Sequence, residues 1–153
     1  MVVQKIDVTI ARLRLLLADA EAKERQYTGV RQQFREQLRR AVEYSIYGDN
    51  SLDGTLGLMS EIQQRIADAE GTLRDLGLVR ARAERELESL QLTKRIEAAK
   101  TELQELAARQ RELEDAGTLD ADGEGAELAA RVRELRQQIN EASEQAARTL
   151  GKR

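Results

Sequence analysis

The chain contains no cysteine, no histidine and no proline, and only 3% of its 153 residues are aromatic. Without cysteine it has no disulfide, no thiol nucleophile and no thiolate zinc or iron–sulfur site. Without histidine it has no imidazole base and no Ser-His-Asp triad. A soft metal ion would find no ligand of its own kind. No apolar run approaches membrane-spanning length, and the opening "MVVQKIDVTIARLRLLLADA" places Asp7, Arg12 and Arg14 inside its apolar part, unlike a signal peptide. A cytoplasmic protein is the expectation.

What the chain does have is Ala, Leu, Glu, Arg and Gln, with charged residues at 35%. These are strong helix formers, and only a few glycines and short Asp/Asn clusters interrupt them. The net charge of −3 is unevenly spread. Residues 1 to 47 hold nine basic and six acidic side chains, and residues 48 to 75 hold two basic and six acidic. A basic first segment followed by an acidic one favours pairing of the two within one chain. A net-acidic chain with no aromatic interleaving argues against nucleic acid as a partner.

Apolar positions recur at helical spacing throughout. Ile6, Leu13, Ala20, Tyr27, Phe34 and Ala41 lie seven apart, with Ile10, Leu17, Leu38 and Tyr44 on the same side. The pattern stops at "YGDNSLDG" and resumes as Met59, Ile62, Ile66, Ala69, Leu73, Leu76, Ala83, Leu87 and Leu90. Leu92, Ile96, Ala99, Leu103 and Leu106 continue it after a break in phase. A second polar stretch, "DAGTLDADGEG", precedes Leu128, Val132, Leu135, Ile139, Ala142 and Ala146. The reading is an all-α, elongated, antiparallel coiled coil of three helices, at about 3 to 47, 55 to 115 and 125 to 150. The outer two pack on opposite halves of the long middle helix.

The organisation expected is one helical domain, 1 to 153. An N-terminal hairpin spans 1 to 90 with its tip at 48 to 54, and a C-terminal hairpin spans 91 to 153 with its tip at 116 to 125. Folding about the loop centres puts position i beside 102 − i in the first hairpin and j beside 241 − j in the second. The two outer helices then meet near residues 91 to 99, where the phase breaks. Val3, Ile6, Ile10, Leu13, Leu17, Leu92 and Ile96 are the expected helix junction or oligomer interface, because the start of helix one is more broadly apolar than a two-helix seam needs. A linear core encloses few side chains, and long heptad arrays associate, so a homo-oligomer is expected. The same "VTIARLRLLL" is amphipathic enough to lie on a membrane surface, but a helical junction uses those residues better.

The first polar loop offers ligands. Asp49, Ser51 and Asp53, then Gly54 and Leu56, resemble the calcium loop of the EF-hand family: oxygens at positions 1, 3 and 5, glycine at 6 and an apolar residue at 8. That resemblance implies a hard cation held by inward-turned oxygens, closed by a bidentate carboxylate at position 12. Here position 12 is Ser60, and Glu61 comes one residue late. A poorer run starts at Asp120 with Asp122, Glu124 and Gly125. The same residue types build ordinary turns, with Asp53 or Thr55 as the N-cap of helix two. An acidic hairpin tip also resembles that of Gre-type transcript cleavage factors, which would imply insertion into RNA polymerase, although their second, globular domain has no counterpart in this sequence.

Arg31, Arg35, Arg39 and Arg40, near Tyr47, form a candidate partner-binding strip for an acidic surface; Glu36 and Glu43 interleave with it as on a solvated face. Tyr27, Phe34 and Tyr44 read as core. Carboxylate pairs abound, but no apolar pocket surrounds them to tune an acid or base. The expected function is therefore a non-catalytic coiled-coil scaffold or adaptor that associates with itself and with a protein partner, with no resident cofactor. The alternatives are a weak calcium-binding module at 49 to 61 and a hairpin regulator acting through its acidic tip.

Overall fold

A computed structural model describes residues 2–48, 51–117 and 123–151, with side chains from residue 4 to residue 149 and at 151. The chain is all-α. It forms α1 (Val2–Tyr47), α2 (Leu52–Asp115) and α3 (Glu124–Gly151), with no strand among the described residues. α1 packs on α2, and α2 packs on α3. No described helix is long and apolar enough to cross a membrane.

α2 starts at Leu52, three residues earlier than the loop chemistry suggested, because neither Asp53 nor Thr55 is the cap. Ser51 is: its hydroxyl accepts a hydrogen bond from the Gly54 backbone N–H at 3.1 Å, satisfying one of the donors that a helix start leaves open. Asp53 then falls in the first turn, where a carboxylate favours the positive end of the helix dipole. The helix runs unbroken through Gly57, Gly71 and Gly77 for 64 residues. It ends where Gly117 takes φ +67°, a left-handed conformation that favours glycine.

Two compact units divide the chain: Arg12–Glu84, and Met1–Ala11 together with Arg85–Arg153. The first eleven residues thus group with the C-terminal segment, not with the rest of α1. In the Arg12–Glu84 unit, Ala20, Ala41, Ile62, Ala69 and Ala83 are buried, and Leu13, Leu17, Tyr27, Phe34, Ile66, Leu73 and Leu76 are half-buried. Along α1 the covered positions step 13, 17, 20, 24, 27, 31, 34, 38, 41 and 45, alternating four and three residues. Polar residues occupy three of these places: Glu24, Arg31 and Ser45. Glu24 accepts from the Arg80 guanidinium at 3.0 Å, and Arg80 itself stands between Leu76 and Ala83 in the α2 series. Arg35 donates to Glu70 at 3.1 Å.

In the other unit Ile10, Leu92, Ala99, Leu128 and Leu135 are buried, Leu135 to 1% exposure. Lys94 donates to Asp7 at 2.6 Å, Arg131 to Glu102 at 2.8 and 3.2 Å, and Gln145 to Glu88 at 3.2 Å. Arg109 pairs with Glu124. Each α2–α3 pair has residue numbers adding to 233, where folding about the middle of the polar loop gave 241. The displacement of eight residues has a local cause. Gly117 turns the chain directly after α2, so the pivot falls at 116 to 117 and not at the loop centre. The step from Leu90 to Leu92 rotates the apolar stripe by about 200° around the α2 axis at ~100° per residue. Lys94 accordingly reaches α1, while Leu92, Ile96 and Ala99 border α3 in a shared groove.

Candidate functional site: the α1–α2 tip

The Arg12–Glu84 unit narrows to a tip where α1 ends and α2 begins, and the apolar surface collects there. Val42, Tyr44, Ile46, Tyr47, Leu52, Leu56 and Leu58 are all at least 40% exposed, seven of the twelve large hydrophobic side chains described as exposed. Tyr47 stands 88% in solvent. Tyr44, read from the sequence as core, is 62% exposed, because the covered series passes through Ala41 and Ser45 and leaves position 44 on the flank. That four–three alternation was the signal to follow; counting Tyr44 with the stripe one position early hid it. Arg40, Glu43, Tyr44, Tyr47 and Gly48 line one shallow cavity of about 450 Å³.

The local chain geometry holds this end in place. The Gly48 N–H donates to the Tyr44 carbonyl at 2.9 Å, so the last turn of α1 closes tightly. A side chain at 48 would put its Cβ 2.6 Å from that carbonyl oxygen. Just inside the tip, Thr55 is 3% exposed and its hydroxyl has no hydrogen-bond partner among the described residues. The hydroxyls of Thr9, Thr72, Thr93, Thr101 and Thr149 instead donate to the carbonyl four residues back.

The arginine strip is mostly engaged within the chain. Arg35 binds Glu70, Arg39 binds Glu36 at 2.5 Å, and Arg40 lies 3.8 Å from the same carboxylate. The hydrogen bond from Arg39 to Glu36, and the negative charge of Glu36 and Glu43, push the Arg39 pKa further above its usual value. Arg31 is half-buried on the covered face and does not extend the strip outward. Tyr47, by contrast, is as accessible as a docking residue must be.

Of the calcium candidates, Asp49 lies outside the described residues, as do Asp120 and Asp122 of the poorer run. Ser51 caps α2, Asp53 sits in its first turn, and Glu61 accepts from Arg65 at 2.9 Å. A helix from residue 52 occupies most of what a twelve-residue calcium loop would use. No group of three or more metal-binding side chains is gathered among the described residues.

The junction candidates are covered within the chain: Ile10 and Leu92 are buried, and Ile6, Leu13, Leu17 and Ile96 are half-buried. Val3 lies outside the described side chains. Leu92, Ile96, Ala99, Leu135, Ile139 and Ala142 floor a groove of about 400 Å³ between α2 and α3, and these are the residues that join the two helices. Comparison with known proteins gives no matching family model, no similar curated protein and no matching solved structure.

Proposed function

We propose that this chain is a non-catalytic coiled-coil scaffold or adaptor, built of two antiparallel helical pairings, that binds itself and a protein partner through surfaces its own helices leave open. The observation that carries the reading is the agreement between cross-helix contacts and burial. Asp7–Lys94, Glu24–Arg80 and Arg35–Glu70 have numbers adding to 101, 104 and 105. The buried residues fit the same register: 20 and 83, and 41 and 62, each add to 103. Numbers that rise on one helix as they fall on the other support opposite chain directions, and four–three alternation supports knobs-into-holes seams. A cytoplasmic setting, expected from the sequence, belongs to the same proposal.

A non-catalytic role is supported by the electrostatics. The pKa values of Arg39, Arg109 and Arg131 are pushed further above the ordinary arginine value, each first by a hydrogen bond to a glutamate, which holds the guanidinium charged. An acid or base catalyst needs the reverse, a group brought towards neutrality near the working pH.

The test uses the absence of native cysteine. Ala20→Cys with Ala83→Cys forms a disulfide on mild oxidation if the register is right, and Ala20→Cys with Ala69→Cys, some fourteen residues out of register, does not. Light-scattering mass of the oxidised protein then reads self-association. Failure of the first pair overturns the antiparallel pairing; the mass of one chain at every concentration overturns the homo-oligomer.

A further inference from the structure

We infer that the α1 end of the tip is the surface through which two copies of this chain associate about a two-fold axis, their α1 helices side by side and antiparallel. This rests on the scaffold reading and names the contact behind its self-association. The junction candidates Ile6, Ile10, Leu13 and Leu17 are buried or half-buried within the chain, and seven of the twelve large hydrophobic side chains described as exposed lie at the tip, against Val8, Leu15 and Leu16 near the start of α1.

The charges on that surface are self-complementary. Glu36, Arg40, Glu43 and Tyr47 recur four, three and four apart, which puts them on one side of α1. A two-fold contact requires that whatever i meets, j meets in return. With the axis passing between residues 41 and 42, Arg40 of each copy meets Glu43 of the other, twice, and Tyr47 of each lies against Glu36 and Arg39 of the other. Both charges are available. Glu43 forms no ion pair among the described residues, and Arg40 has only the 3.8 Å approach to Glu36 while remaining 66% exposed. Tyr44, beside Arg40 and Glu43 in the same cavity, closes over the pair.

Area sets the strength. An aromatic side chain carries roughly 200 Å² of surface, so at their observed exposures Tyr44 and Tyr47 alone offer on the order of 300 Å². That is the size of the largest apolar patch a monomer usually shows, and the same end of the unit exposes Ile46, Leu52 and Leu56 as well. The contact falls at or below the standard size of about 800 Å² per partner, in the range of weak, transient association. An anionic membrane is the poorer occupant, since Glu43 and Asp53 would face it.

The experiment is sedimentation equilibrium of the full chain from about 1 to 500 μM, for the wild type, Arg40→Glu, Glu43→Arg and the double reversal, with circular dichroism recorded on each. The wild type is expected to reach twice the chain mass. Each single reversal is expected to weaken the dimer about tenfold or more, and the double reversal to return it to near the wild-type value, all with unchanged helicity. Wild-type monomer throughout, single reversals without effect, or a double reversal weaker than either single overturns the inference. The Ala20→Cys and Ala83→Cys disulfide separates the two readings: if it forms while the reversals are silent, the tip contact alone is wrong, and if it fails while the reversals behave as expected, the pairing of the helices is wrong.

Discussion

At the residue scale, two positions depart from what local chemistry would choose. Thr55 buries a hydroxyl that none of the described residues satisfies, at a covered position of the α2 series whose next members, Met59, Ile62, Ile66 and Ala69, are apolar. An unpaired buried polar group costs on the order of 1–3 kcal/mol, so the near-isosteric Thr55→Val is expected to raise stability by about 1 kcal/mol in urea unfolding; a loss would mean the hydroxyl has a bonded partner in solution. Gly77, inside α2, would meet nothing within 4 Å if it gained a Cβ. Gly77→Ala is accordingly expected to stabilise by up to ~1 kcal/mol, the helix-propensity difference, whereas Gly48→Ala loses stability because its Cβ collides with the Tyr44 carbonyl. The contrast between two glycines in one chain is the check: equal effects would sink the geometric argument. Charged residues give a pH expectation. The raised pKa values of Arg39, Arg109 and Arg131 stabilise the folded chain fully below the ordinary arginine value and lose that effect only as pH climbs through the raised one. With no histidine and no cysteine to titrate between, the melting temperature should shift by no more than about 2 °C from pH 6 to 9. A steep change within that window would point to an ionisable group in an environment that the paired arginines do not account for.

At the element scale, the seam between α1 and α2 contains a charged pair where heptads ordinarily place leucine. Glu24 is 23% exposed and Arg80 41%, so the pair is half-screened by water and contributes modestly to stability. Its stronger effect is on register, because sliding either helix by one turn would bury one charge against alanine or leucine. Replacing both by leucine should therefore increase resistance to urea while admitting shifted pairings, visible as new disulfides from cysteines placed out of register. Replacing Glu24 alone by alanine should cost no more than about 1 kcal/mol, because Arg80 keeps water on one side and Glu84 at 3.8 Å. If the double leucine variant keeps a single register, the pair has no specifying role. Much of this level was legible in the sequence. Three helices, their approximate limits and the Leu90–Leu92 phase break follow from apolar spacing alone, since helix formers without proline leave no competing structure. Ser51 as the cap was not legible, because Asp53 and Thr55 offer the same capping chemistry within the next turn; Glu24 and Arg31 within the seam and Tyr44 outside it follow only when the four–three spacing is carried through polar positions. Ser51 and Asp53 suited both readings weighed for the tip, because the oxygens that turn inward on a cation also serve a helix start.

At the scale of the whole molecule, the two compact units predict that damage stays local. Leu135 is the most deeply buried large side chain among the described residues, and Leu135→Glu forces a carboxylate among Leu92, Ile96, Ala99 and Ile139 in a groove that Arg95 lines together with Glu102 and Glu141. An unpaired buried charge costs about 3–5 kcal/mol or drives local opening. Phe34 is half-buried in the other unit under the Arg65 guanidinium, 5.7 Å from the ring centre, and Phe34→Glu removes that packing while giving Arg65 a new anion. The expected cost is smaller, about 1–2 kcal/mol, because half of the side chain already meets water. Hydrogen exchange resolves where each loss appears. Leu135→Glu should speed exchange between residues 85 and 151 while residues 12 to 84 keep their protection, and Phe34→Glu should do the reverse. α2 passes through both units without interruption, so the outcome tests whether a continuous helix transmits the loss or each unit's own side-chain packing confines it. Equal acceleration everywhere would mean that the chain unfolds as one cooperative body and that the boundary near Glu84 has no energetic meaning.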